Sequence, residues 1–218
     1  MKLKLLLEVN TPYRKFFGKD LYNGIMAKIN QVNPDLGMEI HSGGYAHHSN
    51  KAFILKKLVF SGLLPQGKRK YMLYLGWHPD VINAVLDAIN DDSTFNVGDN
   101  VFDVIDTTII DSFLGDTELF RTVSPIIPVA GQSDLDGDML IANLRRKYEA
   151  VTGKKVDSFS LKIKEIIDKC KVKVKWDDRF GVWGYKCYVL FEGDPGLIEF
   201  ASNVGLGRRN SLGFGMIR

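Results

Sequence analysis

Cysteine is almost missing from this 218-residue chain: Cys170 and Cys187 are the only two, and no C-x-x-C pair exists. That leaves no basis for a disulfide framework or a zinc cage. Both thiols lie in segments of alternating apolar residues. They are expected in the core of a protein kept in a reducing, cytoplasmic setting. No run of eighteen apolar residues occurs, which argues against a spanning helix and a membrane partner. The opening MKLKLLLEVN turns polar too soon for a secretory leader and suits a first strand. The phosphate-loop pattern G-x-x-x-x-G-K-[ST] is missing too. The densest glycine cluster follows a helix, whereas a dinucleotide fold needs glycines leading into one. No cofactor is therefore expected. DLDGDM, at 134–139, gathers three aspartates but lacks the glycine and the closing glutamate of a calcium loop. Asp136 and its neighbours are expected to complement the start of the next helix, and no metal is predicted.

What the chain does have is an ordinary globular composition, with 45% hydrophobic and 25% charged residues. Its net charge of +3 conceals a segregation. Residues 1–75 carry 12 Lys/Arg against 4 Asp/Glu, residues 76–144 carry 1 against 13, and residues 145–218 carry 16 against 9. A polyanion would be drawn to the two ends of the chain and repelled by its middle. The acidic middle could instead face a second copy, giving a homodimer, or another subunit. Three solvated surfaces that merely differ are the plain alternative.

Periodicity gives an order of elements. Residues 2–10 read as a strand, and 18–33 as a helix with Leu21, Ile25, Met26 and Ile29 on one face, ended by Pro34. HSGGYAHHSNK, at 41–51, reads as a loop. Strands follow at 52–64 and 68–77, then a helix at 78–91 with His78 at its start and Pro79 in its first turn, then a strand at 101–110. The second half repeats the order: strand 118–129, helix 136–153, strands 170–176 and 183–193, helix 194–205, strand 211–217. Two β-α-β-β-α-β units predict an α+β chain of two tandem ferredoxin-like domains, residues 1–113 and 114–218. A single mixed α+β domain is the alternative.

The segment NVGLGRRNSLGFGMIR, at 203–218, holds Gly205, Gly207, Gly213 and Gly215 with Arg208 and Arg209 among them. Glycine lets the main chain take positive φ and lets a ligand approach it closely. Free N–H groups can then form an anion site, to which the arginines add charged donors. A tight turn with a bulged strand and no ligand is the other reading. A second concentration is of histidine: His41, His47 and His48 fall within eight residues, followed by Lys51, Lys56 and Lys57. Histidine titrates near neutrality and can serve as acid or base. Tyr22, on the preceding helix, could approach the same loop or be a core aromatic. In KCKVKVKW, Lys169, Lys171, Lys173 and Lys175 alternate with Cys170, Val172, Val174 and Trp176, so a strand here would have one basic and one buried face. Arg145, Arg146 and Lys147 add charge on the preceding helix. Such a strip could hold phosphates, or be a plain exposed sheet face; Trp183 or Tyr185 could contact bases.

VGLGRRNSLGFGMI resembles the C-terminal glycine-rich loop of the RAMP superfamily of CRISPR-associated proteins, and more narrowly that of the endoribonucleases that cut precursor CRISPR RNA within its repeats. FRTVSPIIP, NLRRKYEAVTG and LYNGIMAKIN…EIHSGGY…AFILKKLVFSGL resemble further segments of that family, in order along the whole chain. The resemblance implies two tandem ferredoxin-like domains and a repeat RNA as partner, with effector-complex subunits as further candidates. It also implies metal-independent cleavage, in which the RNA 2′-OH attacks and leaves 2′,3′-cyclic phosphate and 5′-OH ends. The family's His-x-x-Gly-Tyr pattern falls on His41-Ser42-Gly43-Gly44-Tyr45 and favours His41, with His47 and His48 as rivals. Tyr22 and Lys51 complete the catalytic candidates. Arg145, Arg146, Lys171, Lys173, Gly205, Gly207, Arg208, Arg209, Gly213 and Gly215 are the RNA-binding ones. A non-catalytic RAMP subunit that only binds RNA is the rival function, and an unrelated ferredoxin-like interaction protein a second.

Overall fold

The computed structural model describes residues 1–10, 18–44, 59–66, 69–110, 114–129, 133–153, 155, 159–175 and 181–218, with residues 42–44, 59, 60 and 77 described by backbone alone. The first strand, β1 (Lys2–Val9), alternates as its sequence requires: Leu3, Leu5, Leu7 and Val9 are fully buried on one face. Helix α1 (Gly18–Val32) buries Leu21, Ile25, Met26 and Ile29 against that face. A strand β2 (Val59–Pro65), a strand β3 (Lys70–Trp77), a helix α3 (Pro79–Asp91) and a strand β5 (Asn100–Ile110) complete the expected set. His78 caps α3, its Nδ1 accepting from the Asp80 N–H at 3.2 Å.

Two elements were not expected. Pro34 does end α1, but it also opens a second helix, α2 (Pro34–Gly44). Proline is tolerated in a first turn, where its missing N–H would have no partner anyway, and Asn33 caps the turn by accepting from the Leu36 N–H at 3.0 Å. His41 is thus in the last turn of a helix rather than on the predicted loop. The other addition is β4 (Thr94–Val97), joined to β5 by a two-residue turn in which Gly98 takes φ 58°. The sheet order is β2-β3-β1-β5-β4, with every pair antiparallel. Without α2 and β4 this is the ferredoxin-like arrangement read from the sequence.

The second unit contains β6 (Thr117–Arg121), α4 (Gly137–Thr152), β7 (Leu161–Lys175), β8 (Gly181–Gly193) and α5 (Pro195–Val204), with sheet order β6-β8-β7. The predicted strand 118–129 stops at Arg121. Beyond it, Thr122, Ile126 and Ile127 make only single bridges, to Ile217, Tyr185 and Arg208. Pro125 and Pro128 lie in this stretch and have no N–H to give a ladder. The predicted last strand, 211–217, is also a correction. Asn210–Leu212 form a 3₁₀ turn. Only the end of the chain pairs like a fourth strand: Arg121 and Arg218 exchange backbone hydrogen bonds of 2.8 and 2.9 Å, and the Val123 N–H donates to the Met216 carbonyl at 2.7 Å. Glycines at positive φ cannot run in a regular strand.

Strand β7 begins nine residues earlier than its lysine alternation suggested and carries irregularities at Ile163/Glu165 and Ile167/Cys170. Asp168, within the second, takes φ 51°. Being an edge strand beside β8 alone, it leaves Cys170 exposed, which corrects the expectation of two core thiols; Cys187, on the central β8, is buried. Burial pushes the Cys187 thiol up to about 11.

Two hydrophobic clusters form the core, one of α1 and α3 on the five-stranded sheet, one of α4 and α5 on the three-stranded sheet. The two units meet along the chain's last residues. The buried Lys2 donates to the Ile217 carbonyl at 3.0 Å, and the Arg218 guanidinium donates to the Tyr74 hydroxyl at 3.0 Å. A Cβ at Gly76 would run into the Asn203 carbonyl, so β3 and the end of α5 approach backbone to backbone.

Candidate active site

Helices α1 and α2 form a hairpin, and between them lies a groove of about 520 Å³. Its α1 wall is a stripe at helical spacing: Lys19, Tyr22, Asn23, Met26 and Asn30. Its α2 wall is Pro34, Gly37, Met38 and His41. Residues three and four apart share a helix face, so the sequence dictates the stripe once α1 is recognised. The Tyr22 ring is half-buried and packs on the first core cluster. Met26, one turn on, is buried and carries no acid–base group. His41 is exposed in the last turn of α2. The structure thus brings Tyr22 and His41 to one groove. His47, His48 and Lys51, like Lys56 and Lys57, lie outside the described residues.

Lys19 was not among the sequence candidates. It stands one turn before Tyr22, lines the same groove and is exposed. The i, i+3 spacing to Tyr22 was the available signal, since residues three apart share a helix face.

The glycine-rich segment packs against this hairpin. A Cβ at Gly18 would strike the Leu212 carbonyl oxygen, and one at Gly213 would lie 2.9 Å from Leu21 Cδ2. The segment therefore abuts the first turn of α1, from which Lys19 and Tyr22 enter the groove. Gly205, Gly207, Gly213 and Gly215 all take positive φ, between 68° and 85°, and all are buried. The N–H groups of Gly205, Gly213 and Gly215 donate to the carbonyls of Ala201, Asn210 and Pro125. These three are spent inside the protein rather than offered as a free anion site, so the glycines act here by allowing close backbone packing. Asn210, also buried, donates to the Leu206 and Phe214 carbonyls at 3.0 and 2.8 Å. Lys147 of α4 reaches under the loop and donates to Gly205 O at 2.8 Å and Asn210 Oδ1 at 2.7 Å. Burial lowers the Lys147 pKa to about 7. Its sequence neighbours Arg145 and Arg146 stay on the outer side of α4: Arg145 pairs with Glu149 at 3.2 Å, and Arg146 is exposed. Arg208 is exposed on the loop, while Arg209 is half-buried with φ 64°.

The lysines of β7 form a third feature. Lys171 and Lys173 are exposed and pair in register with Tyr185 and Trp183 of β8. Lys171 Nζ lies 5.3 Å from the Trp183 ring centroid. Trp183 is 52% exposed, whereas Tyr185 is buried and donates its hydroxyl to the Ser133 carbonyl at 2.9 Å. Lys169 is held by Asp134 at 2.8 Å. That pairing and the Leu135 N–H keep the Asp134 carboxylate below its usual range. Asp136 caps α4, accepting from the Met139 N–H at 2.9 Å. The acidic triplet thus serves an ion pair and a helix start.

Chemically, the groove offers an imidazole, a phenol and an ammonium at one end. These can take a proton, give one and steady negative charge. Exposed cations on the glycine-rich loop, on α4 and on β7 supply donors suited to a polyanion.

Residues 111–218 match the family described as CRISPR associated protein Cas6, C-terminal. No curated protein matches the chain. Among solved structures, a Cas6-related protein of Pyrococcus furiosus superposes with a TM-score of 0.76 at 18% identity, covering 100% of this chain and 97% of that one. An RAMP protein binding different RNA substrates gives 0.75 at 20%, covering 100% and 98%. A CRISPR associated protein Cas6 gives 0.73 at 21%, again covering 100% and 98%. At these identities the likeness shows the fold: two tandem ferredoxin-like units. Among the described residues, no helix is long and apolar enough to cross a membrane.

Proposed function

We propose that this chain is a member of the CRISPR-associated Cas6 family, whose C-terminal model its residues 111–218 match, and that it processes CRISPR RNA as a repeat-specific endoribonuclease. The observation that carries the proposal is the meeting of Tyr22, His41 and Lys19 in one groove beside the glycine-rich loop. Two neighbours of the same fold support RNA as the substrate: the RAMP protein binds different RNA substrates, and one Cas6, at TM-score 0.68, forms a product complex.

RNA supplies its own nucleophile. In the proposed reaction one of His41 and Tyr22 takes the proton of the 2′-OH as its oxygen attacks the adjacent phosphorus. The other gives a proton to the departing 5′ oxygen. Lys19 steadies the charge of the phosphorane between them. The products are a 2′,3′-cyclic phosphate and a 5′-OH, and no step is assigned to a metal. His47, His48 and Lys51 remain candidates by sequence for the same tasks. Arg145, Arg146, Arg208, Arg209, Lys171 and Lys173 are proposed to hold the RNA phosphates, with exposed Trp183 available for base stacking.

The test is incubation of repeat RNA from the source organism with the protein in excess EDTA, followed by mapping of product ends. Cleavage at one phosphate, leaving a cyclic phosphate and blocked by a single 2′-deoxy nucleotide at the cut, supports the proposal. Tight binding with no cleavage would make the chain an RNA-binding RAMP subunit instead.

A further inference from the structure

The groove between α1 and α2 continues well past its acid–base end. Lys19 and Asn30 both line it, and eleven residues of helix at 1.5 Å each span about 16 Å. That is more length than one phosphate occupies. The far part is neither a phosphate site nor ordinary helix packing. Its floor is the buried Met26. Its rim is Met38, a large apolar side chain left 70% exposed three residues before His41. Asn23 and Asn30 are exposed and line the same space. Position 37 is shaped around one of these amides. A Cβ on Gly37 would fall on Asn30 Oδ1, with Asn30 Cγ at 2.8 Å. The missing side chain of α2 is what gives the Asn30 amide its place over the groove.

Apolar thioether side chains beside a donor–acceptor pair match one class of ligand better than any other: a heterocyclic base. Sequence-specific RNA recognition works mainly on splayed-out bases, stacked on side chains and read at their edges. An asparagine amide carries an adjacent donor and acceptor, the complement of the adenine N6/N7 edge. Methionine sulfur packs favourably against aromatic rings.

We infer that the Met26–Asn30–Met38 part of the groove is a nucleobase subsite, receiving the unstacked base next to the phosphate held at Lys19, Tyr22 and His41, with adenine the best match. The subsite rests on the endoribonuclease reading above. It makes the α1–α2 hairpin a reader of the cut site as well as the holder of its chemistry. Affinity for the rest of the repeat falls to the basic second unit.

The experiment is single-turnover cleavage of repeat RNA in which each of the two nucleotides flanking the cut is varied through A, C, G, U and an abasic residue. Wild-type protein should prefer adenine at one flank by roughly tenfold, the size expected for one amide–base contact. Asn30→Ala/Met38→Ala should flatten that preference to about twofold. Gly37→Ala should do the same while keeping Asn30, because its methyl group displaces a flexible, exposed amide and lies in a helix that tolerates alanine. Circular dichroism confirms that both variants are folded. A wild-type preference that survives in both variants overturns the subsite and leaves the nuclease standing, as does a wild-type enzyme indifferent to the base at both flanks. If wild type binds every RNA and cuts none, the nuclease reading falls and the subsite falls with it.

Discussion

Lys147 Nζ sits 2.7 Å from Asn210 Oδ1 and 2.8 Å from the Gly205 carbonyl, so one α4 side chain fastens the start and the middle of the glycine-rich loop. Asn210 turns its other side to the Leu206 and Phe214 carbonyls. The loop is therefore held from within, by a lysine and an asparagine, and leaves Arg208 on its surface.

That fastening has a pH signature. Burial lowers the Lys147 pKa to about 7 from its ordinary 10.5. Between those values the unfolded chain binds the proton that the folded protein has released, so stability rises with pH across the window. The neutral amine still has two hydrogens for its two acceptors. Lys2, lowered to about 8 by its own burial, acts in the same direction. Thermal unfolding at pH 7, 8 and 9 should show the midpoint climbing in wild type. In Lys147→Met the climb should shrink without vanishing, because Lys2 remains. An unchanged slope would mean that Lys147 keeps its ordinary pKa.

The glycines predict a different loss. Gly215 takes φ 74°, and its Cβ direction is filled by the Leu206 carbonyl oxygen and by Asn210 Nδ2 at 2.7 Å. Gly215→Ala meets both left-handed backbone strain and a clash with backbone. It should cost upward of about 2 kcal/mol in urea unfolding. Gly115→Ala is the control: its Cβ would make only ordinary contacts, the nearest at 3.5 Å, and the change should stay within about 0.5 kcal/mol.

The two ferredoxin-like units were legible because each rests on strong periodic signals. Leu3, Leu5 and Leu7 alternate, and Leu21, Ile25 and Ile29 keep helical spacing. What escaped were features decided by single residues in context. Pro34 both closes one helix and opens the next, and the second role shows only in the Asn33 cap. The glycine segment could be counted from the sequence, but whether its N–H groups face solvent depends on partners such as Pro125 and Ala201 from distant parts of the chain. Lys147 read as one more surface cation, since nothing local says that the loop folds over it. Cys170 read as core because alternation suggests burial, while an edge strand with an irregularity beside it exposes that position. Tyr22 and His41 were both nominated, and their shared groove follows from a helix, α2, that the sequence reading had not placed.

Lys171 and Lys173 should reveal themselves through salt. If each neutralises one phosphate, Lys171→Gln/Lys173→Gln should reduce the slope of log affinity against log salt by roughly 1.4 to 1.8. Both are exposed, so stability should hardly move. Trp183→Ala should weaken binding by about 1–3 kcal/mol if a base stacks on the ring. It should leave the salt slope alone, because stacking releases no counterions. Filter binding from 50 to 300 mM salt separates the two effects. A Trp183→Ala variant that changes the slope would show that the ring acts by holding Lys171, 5.3 Å from its centroid, rather than by touching RNA.

His41 and Tyr22 are tested by separating rate from affinity. A proton-transferring side chain is worth about 10²–10⁴ in rate, so His41→Ala should lose that much in single-turnover cleavage with little change in RNA affinity. Tyr22→Phe keeps the ring that packs on the first core and removes only the hydroxyl, so any rate loss reports proton transfer and not a collapsed helix. If the two groups act on one transition state, the double variant should be far less impaired than the product of the two single losses, since removing either already disables the unit. Full multiplicativity would place them in separate steps, and a wild-type rate in His41→Ala would move the chemistry to His47 or His48. Lys19→Met completes the set: a cation that steadies the phosphorane should cost rate at constant affinity, whereas one that merely attracts RNA should cost affinity and lower the salt slope. Lys19 is expected to show the first behaviour and the lysines of β7 the second.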